Sequence, residues 1–316
     1  MSFSRVAAVT GANKGIGLAI VRNLALQYPS STFNNGPLLI YLTARDRSRG
    51  EEAIKTLQND AQLKKAKALA ADGGLATIEY HGLDISKPQS ITDFASFLKQ
   101  KHPDGIDIVV NNAGIAMEGF GISPSSSAPP PICLGIPDRQ PTLTPLPDIN
   151  VVKQTLQTNY HGTLLSTLSF LPLIRPHGRL VNISSIAGHL STKYSPALIS
   201  RFQNSRTVDE ITTLMDDFTS AVERGTEKEE GWPSAAYSVS KSGITGMTRA
   251  IALEEKKRGR GILVNSCCPG YVDTDMTKGR GVRSVDEGAE TPVKLALGDI
   301  GDTVGEFWQN VKVIEW

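Results

Sequence analysis

Six short apolar runs, each closed by turn residues, constrain this chain more than any other feature. They are Arg5 to Thr10, Leu38 to Thr43, Ala76 to Gly82, Ile106 to Val110, Arg179 to Ile183 and Gly261 to Cys267. Between them lie stretches long enough for helices: Gly15 to Gln27, Gly50 to Ala70, Ser90 to Lys101, Val151 to Leu171 and Ala235 to Lys257. Strands alternating with helices predict an α/β fold, a doubly wound parallel sheet of the Rossmann type with helices on both faces. Ile106 to Val110 is apolar nearly throughout, as suits a central strand covered on both sides. Such sheets bind ligands beyond the carboxyl ends of their strands, so the residues just after each run carry the most functional weight.

Two stretches interrupt the alternation. Residues 119–148 hold 8 of the 18 prolines and the run Ser125-Ser126-Ser127, so neither a helix nor a central strand persists there, and a surface excursion is expected. Residues 194–233 read as a folded insertion: Val208 to Val222 has helical periodicity, and Glu227-Lys228-Glu229-Glu230 reads as a polar connection to Gly231-Trp232-Pro233. A length of 316 residues fits one large domain or two ordinary ones, and no internal repeat or compositional step marks a boundary. The expectation is a single domain spanning 1–316 with two insertions.

Charge and cysteine usage narrow the function classes. With 33 Lys and Arg against 32 Asp and Glu, and the basic residues scattered, no stripe tracks a nucleic-acid backbone. Met1 to Arg5 leads straight into Val6-Ala7-Ala8-Val9 without a secretory h-region, and no run of about 18 apolar residues occurs, so neither secretion nor a membrane span is expected. Cys133, Cys267 and Cys268 form neither a zinc spacing nor a disulfide framework, which fits a reducing, cytoplasmic setting. The five histidines are dispersed without metal-ligand spacing, so no metal site is expected.

Four motifs sit where a doubly wound sheet keeps its ligands. The first run ends in Thr10-Gly11-Ala12-Asn13-Lys14-Gly15-Ile16-Gly17 and opens an amphipathic helix. Glycines there let the backbone approach a pyrophosphate, and the helix start offers N–H groups and a favourable dipole. The same glycines also serve plain strand-to-helix packing. The fourth run leads into Asn111-Asn112-Ala113-Gly114, whose amides either satisfy neighbouring backbone at the sheet mouth or make an ordinary turn. The fifth ends in Ser184-Ser185-Ile186-Ala187-Gly188, hydroxyls that suit a substrate or a helix cap. In Tyr237-Ser238-Val239-Ser240-Lys241 a spacing of four stacks phenol and ammonium on one helix face. A cation that close is expected to lower the tyrosine pKa toward neutrality; the bland reading is a core-edge tyrosine beside a solvated lysine.

The order of these motifs, followed by Cys268-Pro269-Gly270-Tyr271-Val272 and Thr274, resembles the short-chain dehydrogenase/reductase family over nearly the whole chain. The similarity is to its NADPH carbonyl-reductase-like subgroup. It rests on Asn13-Lys14, Thr43-Ala44-Arg45-Asp46, Glu230-Gly231-Trp232-Pro233-Ser234, Asn265 to Gly270, Glu287-Gly288-Ala289-Glu290-Thr291-Pro292 and the tail ending in Trp316. The resemblance implies reduction of a ketone, aldehyde or quinone carbonyl, with Tyr237 as general acid and Lys241 lowering its pKa and bonding the nicotinamide ribose. It makes Ser185 the polarising donor to the substrate oxygen, ahead of its neighbour Ser184. Asn159 becomes the asparagine whose backbone and amide organise a proton-feeding water; a plain structural link is the other reading.

The same resemblance places a dinucleotide against Gly11, Asn13, Lys14, Gly15, Ile16 and Gly17, then Asp84 and Ile85, then Asn111, Asn112, Ala113 and Gly114. Pro269, Gly270, Val272 and Thr274 complete that set, together with Tyr237 and Lys241. Charge argues for NADPH: Ala44 occupies the position where NAD enzymes keep a ribose carboxylate, while Arg45 and Lys14 offer two cations to a 2′-phosphate. Asp46 is either that carboxylate in a slipped register or a cap. Asp84 is an adenine ligand, part of the next helix's cap region, or both. Alcohol oxidation with NAD or NADP, and a sensor or scaffold without turnover, are the rival functions. By resemblance the insertion at 194–233 covers the surface through which family members associate, so a monomer is expected.

Overall fold

The computed structural model describes residues 3–117 and 148–316, so the expectation for the proline-rich stretch lies, apart from Asp148, outside the described residues. β1 (Arg5–Val9) runs into α1 (Gly15–Gln27); β2 (Leu38–Ala44) is followed by α2 (Arg47–Gln58) and α3 (Ala61–Lys65). β3 (Ala76–Gly82) and α4 (Pro88–Lys101) lead to β4 (Ile106–Asn111). After 148 come α5 (Ile149–Leu156), a π-helical segment Gln157–Gly162, α6 (Thr163–Phe170) and β5 (Ile174–Ile183). α7 (Pro196–Asn204), α8 (Val208–Arg224) and α9 (Ala236–Arg258) precede β6 (Leu263–Cys268), α10 (Val285–Leu297) and the hairpin β7 (Phe307–Gln309) and β8 (Lys312–Ile314).

The strands form one sheet in the order β3-β2-β1-β4-β5-β6-β7-β8. Every pair is parallel except β7 with β8. The order reverses between β1 and β4, and a crevice opens at such a switch point. Both sheet faces are apolar, as two-sided cover demands. Along β1, Val6 and Ala8 pack on the α4, α6 and α9 side, and Ala7 and Val9 pack on the α1 and α10 side.

The structure refines the sequence expectation at several points, among them the added hairpin β7–β8 at one sheet edge. Gly50 to Ala70 is not one helix, because the Asp60 carboxylate accepts from the Gln62 and Leu63 amides and starts α3 afresh. The stretch 151–171 is helical throughout but widens to π geometry over 157–162. β5 begins five residues before the expected Arg179, across a register irregularity opposite Ile106 and Ile108. Glu227, in the polar connection, is itself buried, with Oε1 accepting from the Ser234 hydroxyl.

The insertion before Tyr237 folds as expected. Thr207 and Glu210 form a capping box at the start of α8, and Gly225 ends it in the left-handed region. Tyr194, Phe202, Phe218 and Trp232 meet edge-on or tilted, and they share a core with Val239 and Met247 of α9. Trp232 belongs to this core. The insertion thereby covers the outer face of the helix that carries Tyr237.

Candidate active site

Because the strands are parallel, the segments after β1, β4, β5 and β6 emerge at one end of the sheet. Thr10 locks two of them together: its hydroxyl accepts from the Asn112 and Ala113 amides at 3.0 Å each. The Asn112 amide group donates back to the carbonyls of Thr10 (2.9 Å) and Gly11 (3.1 Å). The approach leaves no room for side chains, since a Cβ on Gly11 would stand 2.9 Å from Ala113 and one on Gly17 2.5 Å from the Asn112 amide nitrogen. Packing therefore accounts for Gly11 and Gly17.

Gly15 is different: it has φ of 56°, and a Cβ there would meet only the Thr274 side chain, 3.4 Å away. Among the described residues the N-cap Lys14 makes no side-chain capping bond at the start of α1, and no acidic residue lies in its first turn. Uncapped N–H groups, a positive dipole end and the exposed Arg45 at the close of β2 make a donor set that suits a phosphate-bearing ligand. Among the described residues Arg45 has no ion-pair partner. Lys14 does have one: its ammonium lies 2.5 Å from Asp275. Asp46 is the N-cap of α2, accepting from the Arg49 amide at 2.8 Å, in line with the cap reading.

Some of the expected residues turn their side chains elsewhere. The Asn111 amide group donates into the core, to Thr167 (3.0 Å) and Asn182 (2.9 Å), so only Asn112 serves the sheet mouth. Ile85 and Val272 are buried apolar side chains. Asp84 organises the turn before α4, accepting from the Ser86 amide and hydroxyl, while the cap position of α4 is Lys87.

The catalytic candidates converge on the Tyr237-bearing face of α9. Ser185, half-buried just beyond β5, hydrogen-bonds the Tyr237 phenol. Lys241 is buried one turn on, with its Nζ 2.8 Å from the Ile183 carbonyl and 5.6 Å from the Tyr237 ring centre. Ser184 points into the helix packing instead, bonding the Lys241 carbonyl (2.9 Å) and the Thr245 hydroxyl (2.8 Å). That separates the two serines, which the sequence left as first and second choice. Gly114 closes over this group, since a Cβ there would lie 3.1 Å from Asn159 Oδ1 and 3.7 Å from Lys241 Nζ.

Asn159 ties the π segment to the strand end. Its oxygen accepts from the Ile115 amide (2.8 Å), and its nitrogen donates to the Ile115 carbonyl (2.9 Å) and the Ser240 hydroxyl (3.1 Å). Both amide donors are thus engaged with protein groups, an arrangement that fits the structural-link reading of the side chain.

The expected lowering of the tyrosine pKa is also corrected. Burial pushes the Tyr237 phenol above its ordinary value, with the Ser185 hydrogen bond opposing in part. The same burial pulls the Lys241 ammonium down to about 8. A low-dielectric site disfavours both charged forms, and this outweighs the attraction of a cation whose nearest bond is to a carbonyl. Cys267 and Cys268 are buried free thiols, and burial pushes the Cys267 thiol well up, away from the reactive thiolate. Among the described residues no cluster could hold a metal ion.

Thr10, Ser240 and Asp275 were not anticipated. The only trace of Thr10 in the sequence is its place immediately before the first glycine; the other two meet their partners only through folding.

This constellation on this sheet defines a class, and sequence comparison gives the same one: the chain belongs to the short chain dehydrogenase family, whose model matches residues 5–197 and 223–283. The gap between the two matched stretches, 198–222, falls within α7, α8 and the turn between them. Among individual proteins, the chain is 38% identical to carbonyl reductase [NADPH] 1 of Rattus norvegicus, with 98% of each chain covered. It is 39% identical to carbonyl reductase [NADPH] 3 of the same species, over 100% of this chain and 99% of the other. Among solved structures, salutaridine reductase from Papaver somniferum superimposes with a TM-score of 0.73 at 25% identity, covering 96% of this chain and 99% of the other. Menthone neomenthol reductase from Mentha piperita gives 0.70 at 28% identity, covering 97% and 98%.

Proposed function

We propose that this protein is an NADPH-dependent carbonyl reductase that converts a ketone, aldehyde or quinone carbonyl to an alcohol. The observation that carries the reading is the Ser185–Tyr237 hydrogen bond with the Lys241 ammonium one helical turn away, in a chain alike to carbonyl reductases over its full length. When bound, NADPH would supply the hydride that reaches the carbonyl carbon. The chain's own residues supply the proton and the orientation. Ser185 holds and polarises the substrate oxygen. Tyr237, kept protonated by burial, gives its proton to that oxygen. Lys241 then stabilises the phenolate that remains. Asn159 holds the strand end and the catalytic helix in register through Ile115 and Ser240.

The α1 N-terminus with Gly15, Asn13 and Ile16 would hold the pyrophosphate, and Lys14 and Arg45 the 2′-phosphate. Asp84 would take the adenine, with Asn112, Ala113, Gly114, Pro269, Gly270 and Thr274 along the crevice. We assign the chain a single domain, a monomeric state and a cytoplasmic location. Cover of the α9 face by α8 supports the monomer, and the absence of a disulfide in the described residues accords with a reducing compartment.

A panel of aldehydes, ketones and quinones, read by NADPH oxidation, tests the activity. Tyr237→Phe is expected to cut turnover by roughly 10²-fold or more, the scale of a lost general acid, while leaving NADPH affinity intact. Undiminished turnover in that variant would overturn the assignment.

A further inference from the structure

Between β6 and α10 the chain leaves the sheet in a loop whose base is closed by backbone. The Asp273 amide donates to the Arg283 carbonyl at 2.8 Å, and the Arg283 amide donates to the Tyr271 carbonyl at 3.1 Å. Inside that base a short 3-10 turn is held by Thr277: its hydroxyl accepts from the Thr274 amide (3.0 Å) and donates to the Val272 carbonyl (2.8 Å). The turn is thus rigid, and it presents Asp275 to Lys14 at the start of α1. Both side chains are well exposed, Lys14 at 59% and Asp275 at 78%, and the lysine holds the Asp275 carboxyl below its ordinary value.

We propose that Asp275 is a specificity-setting residue, a carboxylate that competes with the 2′-phosphate of NADPH for Lys14 and so tunes the preference for NADPH over NADH. The inference rests on the NADPH reading given above. Lys14 offers one compact charge, and a phosphate draws on it only as far as it wins it from Asp275. Arg45, exposed and without an ion-pair partner among the described residues, is available in full. NADH carries no 2′-phosphate and leaves the Lys14–Asp275 pair undisturbed. Neutralising Asp275 therefore favours one nucleotide and not the other. An exposed pair supports a gain of roughly two- to fivefold in NADPH affinity, shrinking as added salt screens it.

Equilibrium fluorescence titration with NADPH and with NADH, on wild type, Asp275→Asn, Lys14→Met and the double variant, tests the competition without recourse to turnover. Asp275→Asn is expected to tighten NADPH binding and leave NADH binding unchanged, and the gain is expected to vanish in the Lys14→Met background. Weaker NADPH binding, an equal shift for both nucleotides, or a gain that survives loss of Lys14 would each overturn the proposal. If wild type itself binds NADPH no more tightly than NADH, the NADPH reading fails first and takes this inference with it.

Discussion

At the scale of single residues, adjacent serines have opposite duties. Ser185 faces the phenol, while Ser184 holds α9 against β5 through the Lys241 carbonyl and Thr245. Ser185→Ala is expected to lower kcat by roughly 10²-fold with the thermal midpoint nearly unchanged, as for loss of an oxyanion donor. Ser184→Ala should instead destabilise by about 1 kcal/mol and leave most activity in place. Reversal of that pattern in paired kinetic and melting measurements would exchange their roles. Lys241 sets the pH response. With its pKa lowered to about 8, its ammonium is present below that pH and is lost as pH rises through it. Carbonyl reduction should therefore be sustained toward neutral pH and fall above about 8. A kcat/KM profile that stays level to pH 10 would contradict this. Tyr237, Lys241 and Ser185 were legible from spacing and motif order. The direction of the tyrosine shift was not, because burial is invisible in a local pattern.

At the scale of elements, the π segment 157–162 is the joint on which the site turns. It brings Asn159 to Ile115 and packs Gly162 so tightly that a Cβ there would stand 2.4 Å from the Ile85 carbonyl. Gly162→Ala is expected to cost about 1–3 kcal/mol by overpacking and to lower turnover by displacing Asn159. An unshifted melting midpoint would show that the segment yields freely. The insertion helix α8 was legible from its periodicity, while the Thr207–Glu210 capping box at its start came with the structure. Its packing on α9 depends on Phe218, fully buried between them. Phe218→Ala should destabilise by about 3–5 kcal/mol, as read from denaturant unfolding. The break at Asp60, the π widening and the β7–β8 hairpin escaped the sequence reading. Each is short, and apolar periodicity reports poorly on elements of three to six residues.

At the scale of the whole molecule, one sheet runs through all the described strands, and the insertion is sewn to the catalytic helix by a shared core. A single cooperative thermal transition is expected, along with a sedimentation mass of one chain at micromolar concentration. A dimer or tetramer mass would mean that α8 does not close the α9 face. Trp316 reinforces that closure, since its ring packs edge-on to Phe202 of α7 and beneath the Arg249 guanidinium of α9.

The alternation of strand and helix determined the layer architecture, because a buried parallel strand must be apolar on both faces, and that demand is written residue by residue. Motif order likewise brought forward Ser185, Tyr237 and Lys241 as candidates, and the fold gathers them at one end of the sheet. Tertiary structure alone decided that Ser184 turns into the packing of α9, that Asn111 turns inward while Asn112 faces the crevice, and that Lys14 is shared with a carboxylate 261 positions away. Those outcomes depend on the direction of side chains and on partners distant in sequence, and only the folded chain brings such groups within hydrogen-bonding reach.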